Sequence, residues 1–343
     1  MSDATPLKDA QALIELYYEK GWTDGMPVVP PNEGSVGAML QAAALRGDDV
    51  IGEIPDRHVR VTADKVAVNA VLAGCKPEYM PVVVAAIRGI CHPDYCYHGA
   101  ATSTGGSAVA MIVNGPIGPR LGVNAQDNVL GQGFRANATM GRAVRLVMMN
   151  AINTRPGKLD RSTMGSPGKY SLCFAENEAE SPWEPLHVER GFAPEESTVT
   201  VFAAESVIQV YNQLSSQPEQ LLLPFADAMS NLGSMNIVGQ AQLFVLFAGE
   251  HCETLKAGGW SKRQIKDTLF EHARRTVADV KRAGRMAGPV QPADETTWRH
   301  PVKSADDIAV VAAGGRAGAF SAILMGWGSA AHTRTITTPV VLP

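Results

Sequence analysis

Four short apolar runs, at 108–113, 198–203, 243–248 and 308–312, are bounded by turn residues and separated by stretches whose apolar spacing is helical. Runs this short fit buried strands, and their alternation with helices implies βαβ units. The chain is therefore expected to be α/β, with a mainly parallel sheet in its C-terminal half and a mixed α/β arrangement in its N-terminal half.

Helical spacing covers 7–20, 35–45, 62–72, 79–90, 134–152, 206–214, 220–229 and 249–256. A longer helix is expected from a capping box at Ser261 and Gln264 as far as Ala283. The segment 51–62 reads as one or two strands, and 174–176 as a strand that delivers Glu176 and Asn177 at its end. At 343 residues the chain exceeds the usual single domain. A unit over 1–155 with a Gly/Asn-rich ligand loop and a βαβ unit over 169–343 are expected, joined by a Pro/Gly/Ser/Arg-rich linker or flap at 156–168.

An apolar content of 45% supplies a core. The net charge of −4, with no Lys/Arg run interleaved with aromatics, argues against a nucleic-acid partner. No apolar run approaches the ~18 residues of a membrane span. The opening MSDATPLKDAQ has neither the basic nor the apolar region of an export signal. A cytoplasmic protein without a membrane partner is expected. Five cysteines, an odd number, point to reduced thiols.

The stretch 91–150 is poor core material. It holds Thr102, Ser103, Thr104, Gly105 and Gly106, then Asn124, Asn128, Gly131, Gly133, Arg135, Asn137 and Arg142. Small residues let a ligand approach the backbone, and amides, hydroxyls and arginines suit a carboxylate or phosphate. The alternative is an ordered loop whose Asn and Gly residues only make turns. Gly131 and Gly133 lack the third glycine and the later acidic residue of a dinucleotide fingerprint.

Cys75, beside Lys76 and ahead of a helix, is the candidate reactive thiol; burial in a helix corner is the commoner fate of a free Cys. Cys91, His92, Cys96 and His98 have loose metal-ligand spacing, so a divalent metal is the cofactor they suggest, while His98 could instead serve in catalysis. The segment 170–192 gathers Glu176, Glu178, Trp183, Glu184, His187, Glu189 and Arg190, carboxylates beside a histidine and an arginine that can divide acid and base roles. A solvated acidic loop is the other reading. The strand-end rule selects Glu205, Glu250–His251 and the 314–321 stretch that opens with Gly314 and Gly315. A helix start favours the neutral ring of His251, as a general base requires; His272 reads as surface.

Six segments, WTDGMPVVPP, VAVNAVLAGCKPEYMPVV, NVLGQGFRANATMGRAVRL, GKYSLCFAENEAESPWEPLHVERGF, GEHCETLKAGGWSK and VVAAGGRAGAFSAILMGWG, span most of the chain. In them the chain resembles a bacterial family of large proteins associated with the UGSC-motif (seleno)protein domain. The resemblance implies thiol or redox chemistry. The chain contains no Cys-Gly-Ser-Cys, so a separate redox partner protein would have to carry that motif.

The function expected is a cytosolic lyase or hydratase acting on a small anionic or carbonyl-bearing metabolite by acid–base chemistry. Arg135, Asn128 and the 102–106 loop would hold the anion; Glu176, His187 and His251 would move protons, with His98 and Cys75 in reserve. Alternatives are a thiol- or metal-dependent redox enzyme and a non-catalytic subunit of a complex. Gly/Ala-rich helix starts such as 135–142 favour a homo-oligomer.

Overall fold

In a computed structural model, the structure describes residues 4–343. Residues 1–3, part of the opening read as lacking an export signal, lie outside the described residues. A hairpin of β1 (Val50–Ile54) and β2 (Val59–Thr62) precedes the main sheet. That sheet has seven strands: β3 (Ala108–Asn114), β4 (Cys173–Ala175), β5 (Thr198–Tyr211), β6 (Leu243–Phe247), β9 (Ile308–Ala312), β10 (Phe320–Gly326) and β11 (Ile336–Pro339). Two short strands, β7 (Arg275–Thr276) and β8 (Trp298–Arg299), pair separately.

The strand order is β4-β3-β5-β10-β6-β9, with β11 beside the start of β5. β3 and β4 are parallel, as are β6 and β9; every other pairing in the sheet is antiparallel. The order is a palindrome. Each half has a middle strand, a helical crossover to an outer parallel strand, and then an inner antiparallel strand: β3, β4, β5 in one and β6, β9, β10 in the other. β5 serves both, pairing with β3 over Thr198–Ala204 and with β10 over Ala204–Tyr211.

The sheet curls. Alternate residues from six strands, among them Ala110, Phe174, Phe202, Phe244, Val311 and Leu324, meet in one concave core, with Phe202 and Phe244 centred 4.9 Å apart. The edges meet where the Asn177 N–H donates to the Ala312 carbonyl at 2.7 Å. Outside, the helices Ala63–Ala73, Met80–Cys91 and Arg135–Asn150 cover the first half. The helices Pro218–Met229, Gly249–Ala257 and Lys262–His272 cover the second. Among the described residues no helix is long and apolar enough to cross a membrane.

The α/β class stands, but the sheet is mixed rather than mainly parallel in its C-terminal half. Two segments account for the difference. The 206–214 stretch continues β5 instead of forming a helix: Val207, Ile208, Val210 and Tyr211 are β-branched or aromatic, and β10 pairs with them. β10 itself hides behind the glycines at 314, 315 and 318. The helix expected to reach Ala283 stops at His272, where β7 intervenes, and Thr276 caps a further short helix, Val277–Arg282.

The 156–168 segment folds against the body. Asp160 is buried there and accepts hydrogen bonds from Arg145, Lys169 and Ser162. β3 and β4, one on each side of this segment in sequence, are neighbours in one sheet.

Candidate functional site

The parallel pair β3–β4 ends in polar side chains. β3 closes on Asn114, and Gly115 then turns at φ +81°; a Cβ there would lie 2.1 Å from the Glu196 carbonyl oxygen, so only glycine fits. Glu176 extends β4 by one residue, its N–H donating to the Val113 carbonyl at 3.2 Å. The Asn114 amide N–H₂ joins two carboxyl groups, donating to Glu176 Oε2 at 2.5 Å and to Glu178 Oε1 at 2.9 Å. The Gly115 N–H also donates to Glu178 Oε1, and the Leu186 N–H to Glu176 Oε2. His187, with no exposed surface, sets Nδ1 3.7 Å from Glu178 Oε1 and Nε2 3.4 Å from the Pro194 carbonyl.

Three buried atoms of this network have no partner: Glu176 Oε1, Asn114 Oδ1 and His187 Nδ1. Buried polar atoms are nearly always bonded, so this concentration of exceptions is informative. Glu176 is 4% exposed. Burial pushes its carboxyl up to about 7 and the nearby Glu178 pushes the same way, while Lys262 and the bonds from Leu186 and Asn114 pull it down. A carboxyl that gains and loses its proton near neutrality can act as acid or base.

Glu176, Asn177 and Glu178 line a cleft of about 570 Å³. Val113, Pro116, Val123 and Phe134 are among its apolar walls, and Asn124 and Gln126 are its other amides. The cleft lies beyond the carboxyl ends of parallel strands, the usual ligand position in such sheets.

Of the residues singled out in the sequence, Glu176, Asn177, Glu178 and Asn124 share this cleft, with His187 behind it. The loop of Thr102, Ser103, Thr104, Gly105 and Gly106 does not. It precedes β3, so the seven residues of that strand, roughly 20 Å, separate it from Glu176. Its hydroxyls are used locally: Thr102 donates to the His98 carbonyl, and Ser103 Oγ accepts from Gly105 N–H and Trp327 Nε1.

Arg135 donates twice to the Gly74 carbonyl, at 3.1 and 3.0 Å, closing the end of the Ala63–Ala73 helix instead of lining the cleft. Arg142 holds Asp24 with two 2.8 Å bonds and so fastens the WTDGMPVVPP strap. Buried Asn137 clamps the backbone of Asn124, accepting from its N–H and donating to its carbonyl. Asn128, at φ +58°, donates to the Gln132 carbonyl. Asn128, Gly314 and Gly315 line a separate opening of about 410 Å³, and the Gly314 N–H donates to the Ala125 carbonyl. Arg190 donates to the Thr335 carbonyl at 3.4 Å and is not part of the cleft lining.

His251 is a correction. It is 2% exposed, and both ring nitrogens are engaged: Nε2 donates to the Asn212 carbonyl at 3.0 Å, so Nδ1 accepts from the Ser321 hydroxyl at 2.7 Å. Burial lowers its proton affinity, as expected for a neutral ring, against the opposing pull of Asn212 and Glu250. The ring is a strut between elements rather than a free base. Cys75 is another. Its thiol is buried, donates to the Thr139 carbonyl at 3.3 Å, and burial pushes it up to about 12. The turn Pro77–Tyr79 separates it from the Met80–Cys91 helix, so no helix start stabilises a thiolate.

Cys91, His92, Cys96 and His98 do not converge: among the described residues no group of three or more His, Cys, Asp or Glu is arranged to hold a metal. Burial pushes the Cys91 thiol up to about 12; His92 Nδ1 accepts from Asp94 N–H, and His98 is exposed on the short helix Tyr97–Thr102. Asn114 was missed in the sequence. The signal available was an amide closing a buried run just before a glycine. No protein-family model, curated protein or solved structure matches the chain.

Proposed function

We propose that the chain is an acid–base enzyme of lyase or hydratase type acting on a small carbonyl-bearing molecule in the β3–β4 cleft. The observation that carries this reading is Glu176, a buried carboxyl in a cleft wall with one oxygen unpartnered. Ionised Glu176 would take a proton from the carbon beside the carbonyl and, once protonated, give it back or pass it to a leaving hydroxyl. Asn114 orients the carboxyl, and Glu178 with His187 forms a second pair next to it. An anionic substrate is less well served, because neither Lys nor Arg lines the cleft. Five cysteines without a disulfide support a cytoplasmic setting.

The test is hydrogen exchange. A panel of small carbonyl compounds is incubated with the protein in D₂O, and loss of the C–H signal beside the carbonyl is followed by NMR. Wild type should exchange at least one compound and Glu176→Gln should not; equal exchange by both proteins would remove Glu176 from the chemistry.

A further inference from the structure

We infer that the ligand of the β3–β4 cleft is an organic cation, a small carbonyl compound that also carries an ammonium group with at least one N–H on a short body. This deepens the acid–base reading and rests on its choice of cleft.

The unpartnered atoms point to a donor. Glu176, a lining residue, leaves Oε1 without a partner, and Asn114 Oδ1, on the side chain bonded to Glu176 just behind the lining, is unpartnered too. Both are acceptors. An ammonium group offers up to three N–H donors and no acceptor, whereas a carboxylate or phosphate would bring only more acceptors.

Charge points the same way. The charged residues of the cleft lining are Glu176 and Glu178, with no Lys, Arg or His in that lining; His187 lies behind it, its Nδ1 3.7 Å from Glu178 Oε1. Cations behind the wall are already committed: Lys262 and Lys266 both bind Glu189, and Arg316 binds Glu180. Glu178 is held by two neutral donors, Asn114 and the Gly115 N–H. The protein therefore leaves the cleft negative, the condition under which a ligand cation is drawn in. Phe134 completes the setting. It lines the cleft, is 38% exposed, and offers an aromatic face of the kind that attracts ammonium groups.

The test uses three probes of one length, n-butylammonium, n-butanol and n-butyrate, titrated into the full chain with ligand-observed NMR. Butylammonium should bind about 10-fold or more tightly than either of the others. Glu178→Gln, which keeps the accepting oxygen but not the charge, should erase most of that preference. Phe134→Leu, at an exposed position where folding is not at stake, should weaken butylammonium roughly 2- to 5-fold and leave butanol unchanged. Butyrate or butanol binding as tightly as butylammonium, no binding of butylammonium, or its displacement by equimolar Mg²⁺ would each overturn the inference. The two readings fail separately. Exchange lost in Glu176→Gln without any ammonium preference breaks this inference alone; the preference without dependence of exchange on Glu176 breaks the acid–base reading alone.

Discussion

The two halves of the sheet share a layout and differ in what stands at the ends of their parallel strands. Val113 faces Ala175 in the last pair of β3–β4, and Phe247 faces Ala312 in the last pair of β6–β9. Stepping forward from those pairs matches Asn114 with Ala248, Glu176 with Ala313 and Glu178 with Gly315. The backbone bonds agree: Glu176 N–H meets the Val113 carbonyl as Ala313 N–H meets the Phe247 carbonyl. Gly115 and Gly249 also match, each pressed against the chain leading into the inner strand, at Glu196 and at Arg316. One scaffold thus carries an amide and two carboxyls in one half and small apolar residues in the other. Where it carries the polar set, Glu176 Oε1 and Asn114 Oδ1 are left without donors; the matched positions of the second half, Ala248, Ala313 and Gly315, bring no polar side chain, and the histidine there has both nitrogens bonded.

The comparison predicts unequal responses to mutation. The largest is Glu176→Gln, which should lower turnover of any exchanged compound by about 10²- to 10⁴-fold, measured as the rate of deuterium incorporation. His251→Ala should act on stability instead. It strands the Asn212 carbonyl and the Ser321 hydroxyl and empties a buried site, for a loss of about 2–4 kcal/mol in urea unfolding with exchange kinetics unchanged. A turnover defect in His251→Ala would break the distinction.

Stability against pH sharpens it. The carboxyl of Glu176 has its folded affinity raised from 4.5 to about 7. Its contribution is therefore complete below pH 4.5 and lost as the pH rises through 7, by up to a few kcal/mol. Glu176→Gln should lack this decline, so the variant gains on wild type between pH 5 and 8, read from unfolding midpoints. A smaller effect is expected at the matched glycines. Gly115→Ala and Gly249→Ala should each cost about 1–3 kcal/mol, because an added Cβ meets backbone in both, with Gly115 the worse for its left-handed φ. The smallest effect is none. Iodoacetamide at pH 8 should leave Cys75, Cys173 and Cys252 of the native protein unmodified by mass spectrometry and exchange unaltered, since burial pushes each thiol up to about 12.

Local patterns were readable in the sequence and distant pairings were not. The Ala63–Ala73, Met80–Cys91 and Arg135–Asn150 helices show their 3.6-residue spacing and their stop signals, such as Gly74 at φ +86°. The runs that became β3, β6 and β9 are short and apolar enough to be recognised. The stretch 206–211 is ambiguous because Val207, Ile208 and Tyr211 also fit one side of a helix; only the partner strand over 100 residues later decides it. Glu176 was legible as a carboxylate at a strand end. That Arg135 spends its donors on Gly74, and that Ser321 closes off His251, depends on contacts 61 and 70 residues apart, which no local spacing records.

β5 belongs to two structures at once, and this sets the order in which the molecule can be completed. As the chain is synthesised, β3 and β4 wait for the first half of β5, and its second half waits for Phe320–Gly326. Pairings so far apart in sequence close slowly. Every residue lining the β3–β4 cleft lies between 113 and 194. A chain stopped before residue 308 would hold the whole lining and still lack β9, whose Ala312 carbonyl anchors Asn177 beside Glu176. The cleft is made early in sequence and finished late in folding, so a nascent chain carries its acid–base residues long before they can be held in place.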